Sequence, residues 1–399
     1  MIKNILIVLC TSLMLYLMNF HQTQSSVWVA PYLSAASNFN FSSLTMYIDQ
    51  SQIDYFSQLT REEQFKFNFE KSENIVQYEY LAIGFYFIAI IATKIFFFLG
   101  DLESIQLLQQ LIHIGISILI LNQFSINRNK LLFLFFYTLN PIILYFVNFP
   151  YYYFWQFLPA AIFIYYYLSN KKIGNIIFLM AFVMFIAYII RPTILFFALF
   201  FFIWFAIKEN LKKSIVAIIF FLWLINCFQS YSFGPWHTMY IGIGAYNNDF
   251  DIKLSDTSGF DYFNSIQDKI INSSLISDDD ELKHDYYDVL KDRYLQIIQL
   301  NPLLIIKNGV LNIIGSYGFG YKPENTILIY TNILCGLIFM IMLLYCKQYT
   351  LFFAIGISSI SFTPYYPPIS AYMYGSYILI AIGIINIIHY VIIKRGNDA

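Results

Sequence analysis

The chain has 399 residues, of which 59% are hydrophobic and 12% charged, whereas a soluble domain carries about 25% charged residues. This composition predicts a membrane protein with several spans. The formal net charge of −1 excludes a nucleic-acid partner, because phosphate binding requires a basic surface. The four cysteines show neither C-x-x-C nor Cys/His metal-ligand spacing, so we interpret them as packing residues.

The first apolar segment, Ile5–Phe20, follows Lys3 and precedes no small-residue cleavage site, which predicts a retained anchor rather than a signal peptide. Later apolar runs predict further spans, at Ser104–Leu121, Leu131–Val147, Phe154–Leu168, Ile173–Ile190, Thr193–Ile207, Ser214–Phe228, Thr326–Tyr345, Leu351–Thr363 and Tyr372–Ile393. We therefore expect an all-α polytopic integral membrane protein with about ten transmembrane helices. Residues 1–399 would form a single membrane domain.

One apolar run, Tyr80–Leu99, is left out of the spans because of the charges around it. Short basic loops face the cytoplasm, and an even number of crossings places all of them there: Lys3, Arg128, Lys130, Lys171, Lys172, Lys208, Lys212, Lys213, Lys347, Lys394 and Arg395. A further crossing would turn some of these loops outward and leave Lys94 in the hydrocarbon. The run therefore predicts an interfacial helix. Both termini are expected in the cytoplasm, with two large extracytoplasmic loops, 21–103 and 229–325.

The second loop contains DDDELKHDYYDVLKDRYLQIIQL (Asp278–Leu300), with apolar residues at helical spacing behind an Asp cap. This pattern predicts a capped surface helix, and we interpret the acidic run as the cap rather than a metal site. Pro302 ends that helix. The next stretch, Leu303–Gly318, is apolar but interrupted by Lys307 and Asn308, which favours an interfacial helix on the outer leaflet.

Candidate site residues are sought at the outer ends of the spans, where the headgroup of a lipid carrier lies. Arg191 is expected there, held between two apolar helices by Pro192. Its guanidinium can neutralise a lipid phosphate, or it can anchor the chain to phospholipid headgroups. Glu79 and Lys94 lie around the predicted interfacial helix at the same level.

Three carboxylates are candidates for a general base. Asp49 and Asp54 lie in the first loop and Asp256 in the second, and deprotonating an acceptor hydroxyl requires a carboxylate near the leaving group. Acidic residues are also common in solvated loops, so each has an alternative structural interpretation. No residue set predicts a resident cofactor, and dependence on a divalent cation stays open.

The stretch GPWHTMYIGIGAYNNDFD (Gly234–Asp251) is polar and Gly-rich between apolar runs. His237 in it can donate to a phosphate or glycan oxygen, or bond the adjacent backbone. Trp236 in the same stretch, and Tyr372 in TPYYPPISAYMYGS (Thr363–Ser376), can stack on sugar rings. Both aromatics can equally belong to the interfacial belt of a membrane protein.

The layout of one anchor, a long outer loop ending in YLAIGFYFIAIIATKIFFFLGD, and a multi-span bundle resembles the GT-C superfamily of membrane glycosyltransferases. The FFFLGD ending (Phe96–Asp101), Asn140–Pro141, Arg191–Thr193 and the PWHTMYIGIGAYNN segment are similar to bacterial relatives of the dolichyl-phosphate-mannose-protein mannosyltransferases, which are family 39-like. The resemblance implies an inverting transferase that uses a polyprenyl-phosphate-linked sugar. It also implies a first-loop carboxylate as base, basic groups on the carrier phosphate and a second outer region that covers the acceptor.

One departure from that family concerns the acid that usually follows the first span, ahead of a Tyr and an Ala. Here Ser25–Ala36 reads SSVWVAPYLSAA, with no acid before Tyr32. Either Asp49 or Asp54 has taken over that role, or the chain does not catalyse the family's reaction.

Three functions remain open on the sequence. The leading hypothesis is a sugar transferase of the bacterial inner membrane that modifies a cell-envelope glycan or lipid on its outer face. An O-antigen or capsule repeat-unit polymerase would be expected to carry several arginines in the second loop, where this chain has only Arg293. A non-catalytic glycolipid transporter would place ionisable groups along a path in mid-membrane, and this sequence has almost none there, because its charges cluster at the predicted outer face.

Overall fold

The computed structural model describes residues 2–19, 27–40, 45–78, 83–169, 171–228, 235–266, 280–320 and 325–397. Its regular structure is helical apart from one antiparallel ladder, in which β1 (Tyr47–Ile48) pairs with β2 (Val76–Gln77). The all-α fold predicted from the sequence is confirmed. The chain forms two compact units, residues 1–230 with 374–399 and residues 231–373.

The first unit begins with twelve helices, α1 (Ile2–Asn19), α2 (Ala30–Ser37), α3 (Gln50–Gln58), α4 (Arg61–Lys66), α5 (Ile83–Ile95), α6 (Asp101–Leu121), α7 (Asn127–Phe133), α8 (Pro141–Asn148), α9 (Leu158–Ser169), α10 (Ile177–Ile190), α11 (Leu195–Lys208) and α12 (Leu211–Cys227). The second unit contains α13 (Trp236–Gly242), α14 (Asp256–Ile266), α15 (Asp280–Leu300), α16 (Pro302–Gly315), α17 (Thr326–Tyr345), α18 (Tyr349–Ser359) and α19 (Ser370–Met373). The chain then returns to the first unit with α20 (Tyr377–Asn397).

Hydrogen bonds join the predicted first outer loop to the start of α6. The carboxylate of Asp101 accepts from the backbone N–H of Phe69 at 2.8 Å, and the Asp101 N–H donates to the Phe67 carbonyl at 3.0 Å. Gly100 lies so close to the Phe65 carbonyl that a side chain would collide with it. These contacts give the Gly-Asp pair of FFFLGD a structural role as the junction between loop and helix.

The predicted span Leu131–Val147 is broken in the structure. A π-helical turn, Leu134–Thr138, follows α7 and precedes α8, and the two halves are bent by 52°. Asn140 caps α8 by accepting from the Ile142 N–H, and Pro141 occupies the first helical turn, where its missing N–H costs nothing. The break therefore follows from local helix-start chemistry within an otherwise apolar run.

Three described helical stretches are long and apolar enough to cross a membrane, Asp101–Leu121, Ile327–Tyr345 and Ser370–Ile393. Counting each of two bent pairs as one span gives five, the second pair being His284–Leu300 with Pro302–Gly315, bent by 101°. Shorter apolar helices cover much of the remaining predicted spans. A membrane protein is supported, whereas the number of ten spans, the single membrane domain and the orientation of the termini stay predictions.

Candidate functional site

In the second unit, three helices bring a tyrosine, a histidine and a carboxylate into one hydrogen-bonded row. His237 lies on α13, Asp256 begins α14 and Tyr286 lies on α15. The His237 Nδ1 atom is 2.5 Å from the Tyr286 hydroxyl, and its Nε2 atom is 3.2 Å from Oδ1 of Asp256. We call this row the Tyr–His–Asp relay.

The direction of these hydrogen bonds follows from the groups involved. An ionised carboxylate can only accept, so Nε2 of His237 carries the proton that is donated to Asp256. In the neutral imidazole Nδ1 is then an acceptor, and the Tyr286 hydroxyl donates to it. The hydrogen bond from His237 lowers the pKa of Asp256, because it stabilises the charged carboxylate.

The two ends of the relay differ in exposure. Tyr286 is 1% exposed, whereas the side chains of His237 and Asp256 are 20% and 67% exposed. Oδ2 of Asp256 accepts no hydrogen bond from any residue that the structure describes. The relay therefore offers an accessible carboxylate oxygen, backed by a histidine that a buried tyrosine holds in place.

Close approach of α14 makes this arrangement possible. A methyl group added at Gly259 would lie 2.5 Å from the Tyr286 hydroxyl and 3.0 Å from Nδ1 of His237. The Phe260 ring stacks on the Tyr286 ring with 5.5 Å between centroids, and lies 5.7 Å from the His237 ring. Gly259 thus admits the relay, and Phe260 covers one side of it.

A second group of aromatic rings lies one turn along α13. The Tyr240 and Tyr262 rings are 5.4 Å apart, and the guanidinium of Arg293 lies 5.4 Å from the Tyr262 ring centroid. Burial, with the neighbouring Tyr262 phenol, raises the pKa of Tyr240 to about 12, so this phenol stays neutral and keeps its proton for donation. Trp236 packs nearby on Tyr294 at 6.3 Å.

Arg293 is a cation without a carboxylate partner in the described part of the chain. It donates to the Gln296 side chain at 2.6 Å and lies over Tyr262 and Phe250, the latter at 5.8 Å. Cation–π packing of this kind holds the guanidinium without neutralising its charge. Arg293 can therefore attract an anion.

Asp49, a predicted base, is the N-cap of α3. It is 6% exposed, and Oδ1 accepts from the Ser51 hydroxyl at 2.6 Å and from the Ser51 and Gln52 N–H groups at 2.9 and 3.2 Å. The Ser51 hydroxyl lowers the pKa of Asp49 far below its usual range. Such a carboxylate is a weak proton acceptor, because its charged form is already satisfied.

The other predicted residues of the first loop are solvent-facing or lie outside the described residues. Asp54 is exposed on α3 and accepts from the Gln50 amide one turn earlier at 2.9 Å. Lys94 is exposed in the last turn of α5. Glu79 lies outside the described residues.

Arg191 lies in the first unit, where α10 ends. Its backbone is extended and Pro192 opens the next 3-10 turn. The guanidinium lies over the rings of Tyr152 and Tyr153, 4.8 and 5.6 Å from their centroids. This places a cation on an aromatic platform at the junction of two apolar helices.

Tyr372, the last predicted binding residue, packs in an aromatic cluster of the second unit. Its ring lies 5.2 Å from Phe362 and 5.1 Å from Tyr366. The predicted set is thus distributed: His237, Asp256, Trp236 and Tyr372 belong to the second unit, and Asp49, Asp54, Lys94 and Arg191 to the first.

Two residues of the candidate site were missed by sequence reasoning, Tyr286 as a binding group and Arg293 as a cation facing aromatic rings. The sequence pattern that could have indicated them is the helical spacing on α15. Tyr286, Leu290, Tyr294 and Ile297 all lie on its buried face, and Arg293 lies at the edge of that face. No group of three His, Cys, Asp or Glu residues in the described ranges could hold a metal ion, which leaves the divalent-cation question untested. No family model, curated protein or solved structure matches this chain.

Proposed function

We propose that the chain is a glycosyltransferase of the bacterial inner membrane, which moves one sugar from a polyprenyl-phosphate carrier to a hydroxyl of a cell-envelope glycan or lipid on the outer face. The observation that carries this proposal is the Tyr–His–Asp relay beside the Tyr240–Tyr262 aromatic pair. Inverting sugar transfer needs a base for the acceptor hydroxyl, and aromatic faces suit the C–H surface of a sugar ring.

In the proposed reaction the acceptor hydroxyl donates its proton to Oδ2 of Asp256. The hydroxyl oxygen forms a bond to the anomeric carbon as the bond from that carbon to the phosphate oxygen breaks, which inverts the anomeric centre. His237 donates to the other oxygen, Oδ1, and so orients the carboxylate toward the acceptor. Tyr286 fixes the imidazole, and its burial keeps the hydrogen bond dry.

The leaving phosphate gains negative charge as the bond breaks, so a cation beside it lowers the barrier. Arg293 is the candidate within the second unit, because it lies over Tyr262 and pairs with no carboxylate of the described ranges. Arg191, on its own tyrosine platform in the first unit, is a separate candidate for binding a lipid phosphate.

Among the candidate bases, the proposal rests on Asp256 rather than Asp49. All polar capacity of Asp49 Oδ1 is used to cap α3, and Oδ2 accepts from the Gln52 amide at 3.2 Å. Asp54 is exposed but has only a local partner, Gln50. Asp256 alone of the three combines exposure with a histidine partner.

The test is mass spectrometry of lipid-linked and surface glycans from a deletion strain, complemented with the wild type, Asp256→Asn or Asp54→Asn. We expect loss of one sugar in the deletion strain, rescue by the wild type and by Asp54→Asn, and failure of Asp256→Asn at equal protein level. Intact single repeat units without long chains would assign a polymerase instead. An unchanged glycan profile would reject both glycan-building functions.

Transport of a glycolipid without chemistry is a second candidate, favoured by one specific observation. The buried imidazole of His113 lies on α6, a helix long and apolar enough to cross the membrane, where a transporter is expected to carry an ionisable group. In that case the deletion strain would accumulate the complete glycolipid, with every sugar present, on the inner leaflet. Periodate oxidation restricted to the outer face distinguishes this outcome from loss of a sugar.

A further inference from the structure

A row of polar side chains runs along one face of α6 in the first unit. Gln109, His113 and Ser117 lie one helical turn apart, and each is 0% exposed. Burying such groups in an apolar helix costs free energy unless each polar atom finds a partner. Each polar atom of the row is therefore expected to have a hydrogen-bond partner, either in the protein or in a bound molecule.

Two of the five polar atoms in the row donate to backbone carbonyls of the broken helix beside α6. The Gln109 amide donates to the carbonyls of Phe146, Val147 and Phe149, at 3.3, 3.1 and 2.9 Å, where α8 ends. Nε2 of His113 donates to the Thr138 carbonyl at 3.0 Å, because a carbonyl oxygen can only accept. These bonds satisfy the Thr138 carbonyl at the break and the carbonyls that the end of α8 leaves free.

The other three atoms of the row, Gln109 Oε1, His113 Nδ1 and Ser117 Oγ, have no hydrogen-bond partner in the described part of the protein. The same is true of four buried hydroxyls elsewhere in the first unit, those of Thr11, Tyr137, Thr138 and Tyr374. A buried polar atom without a partner costs about 1–3 kcal/mol. So many in one unit indicate a polar ligand small enough to lie between side chains.

Several of these groups are neighbours of His113. The Tyr137 and His113 rings are 5.6 Å apart, and Tyr137 with Thr138 forms the end of the π-helical turn. The Tyr374 phenol interacts electrostatically with the Tyr137 phenol. Single π-helical turns within helices are frequent at functional sites, and this one faces the polar row.

The charge around the row limits what the ligand can be. Asp49, the N-cap of α3, is the only buried Asp, Glu, Lys or Arg among the described side chains. Three of the helices that pack on α6 are α1, α8 and α9, and their described side chains include only tyrosines and Cys10 as titratable groups. Charged side chains near α6 belong to α4, α5 and the first turn of α6 itself: Arg61, Glu62, Glu63, Lys66, Lys94, Asp101 and Glu103. Asp101 is about 18 Å from His113 along the axis, at 1.5 Å per residue. A metal ion would lack a carboxylate here, whereas water suits hydroxyls and a neutral imidazole equally.

We infer that this face of α6 is a hydrated proton-binding site. Water molecules bridge the hydroxyls and Gln109 Oε1 to His113, and Nδ1 of His113 takes a proton from a hydronium ion in that water, leaving water and an imidazolium. The Nε2–H bond to Thr138 persists in both states, so protonation changes only the side of the ring that faces the water. The site is independent of the Tyr–His–Asp relay.

The test is 15N solid-state NMR of histidine-labelled full-length protein in lipid bilayers. The protein has five histidines, and the His113 resonances are those that disappear in His113→Gln. If His113→Gln does not fold, Tyr137→Phe, which removes one hydroxyl beside His113, identifies the same resonances by the shift it causes. We expect magnetisation transfer from water to Nδ1 of His113. We also expect that nitrogen to change from unprotonated to protonated when the pH is lowered stepwise over the range in which the protein stays folded.

The control is Gln123→Leu, an exposed amide at the end of α6 whose partner is the Leu119 carbonyl, compared with Ser117→Ala within the row. Ser117→Ala should shift the His113 resonances and weaken the transfer from water, and Gln123→Leu should leave both unchanged. An Nδ1 resonance that shows no contact with water, or that stays unprotonated over the whole pH range, would overturn the inference.

Discussion

Asp49 and Asp256 both stand at the start of a helix, but their hydrogen bonds leave them with different chemistry. Asp49 is enclosed by donors from the first turn of α3, which is the arrangement of a stabilising N-cap. Asp256 receives one hydrogen bond, from a side chain of another helix. The first carboxylate therefore contributes to stability and the second is available for chemistry.

The cap role of Asp49 predicts a loss of stability on Asp49→Ala of about 1 kcal/mol, within a range of roughly 0.5–2. Because the folded pKa is lowered, this contribution is complete above the unfolded pKa of ~3.9 and is lost as the pH falls toward the folded value. Thermal unfolding in detergent at neutral pH measures it. Asp54→Ala is the matched control and should change stability by less than about 0.5 kcal/mol; equal effects of both variants would refute the cap role.

If the chain performs the proposed sugar transfer, the pairing of His237 with Asp256 predicts a change in the pH profile of that reaction. A base works above its pKa, and His237 lowers the pKa of Asp256, so wild-type activity should persist to a lower pH. His237→Asn should move the acid limb of kcat/KM upward, toward the ordinary Asp pKa of ~3.9, and reduce the plateau rate. His284→Asn, an exposed histidine one turn before Tyr287, is the control. A lower plateau with an unmoved acid limb would mean that His237 does not act through Asp256.

At the level of helices, close contacts depend on glycines at positions where an added side chain would collide with backbone atoms of the neighbouring helix. A methyl group at Gly84 on α5 would lie 2.6 Å from the Ile190 nitrogen and 2.8 Å from the Ile189 carbonyl carbon. The end of α10 thus packs directly on α5, immediately before Arg191. The position of the arginine therefore depends on this contact between helices.

We expect Gly84→Ala to destabilise the first unit by about 1–3 kcal/mol, because the overlap is with backbone and the helices must separate. Gly115 on α6 has no atom within 4 Å of an added methyl group, so Gly115→Ala should be neutral or stabilising by up to about 1 kcal/mol. Thermal unfolding of the two variants in the same detergent makes the comparison. Similar behaviour of both would show that α5 and α10 do not pack this closely.

Helices with a clear apolar period were predictable, whereas breaks inside apolar runs were not. The spacing within Asp278–Leu300 predicted α15, and its apolar positions Tyr286, Leu290, Tyr294 and Ile297 are indeed buried. The run Leu131–Val147 shows no hydrophobic periodicity, because nearly all of its residues are apolar and suit either a buried helix or a lipid-facing one. Its break is encoded by Asn140–Pro141, a helix-start signal that hydropathy does not record.

For the whole molecule, hydropathy predicts apolar segments but not their geometry. The helices α10 and α11 have 14 residues each, about 21 Å at 1.5 Å per residue, against a hydrocarbon core of about 30 Å. The relay was less predictable still, because its hydrogen bonds join residues 49 and 19 positions apart. His237 and Asp256 are separate candidates in the sequence, and only the packing of α13, α14 and α15 joins them to Tyr286.

The predicted topology depends on one segment, because a crossing by Tyr80–Leu99 would exchange the two sides for every later loop. If α5 lies along the membrane surface, Lys171 faces the cytoplasm and Asp249 faces outward. Both side chains are exposed. Single-cysteine variants at these two positions, with the four native cysteines replaced by serine, allow the two arrangements to be distinguished.

We expect a membrane-impermeant maleimide to label Asp249→Cys in intact spheroplasts, and to label Lys171→Cys only after permeabilisation, because basic short loops stay in the cytoplasm. Lys94→Cys should also react from outside, since an interfacial helix keeps its last turn at the outer surface. Labelling of Lys171→Cys in intact cells with protection of Asp249→Cys would mean that α5 crosses the bilayer. The relay would then face the cytoplasm, where a nucleotide sugar rather than a carrier-linked one would be the available donor.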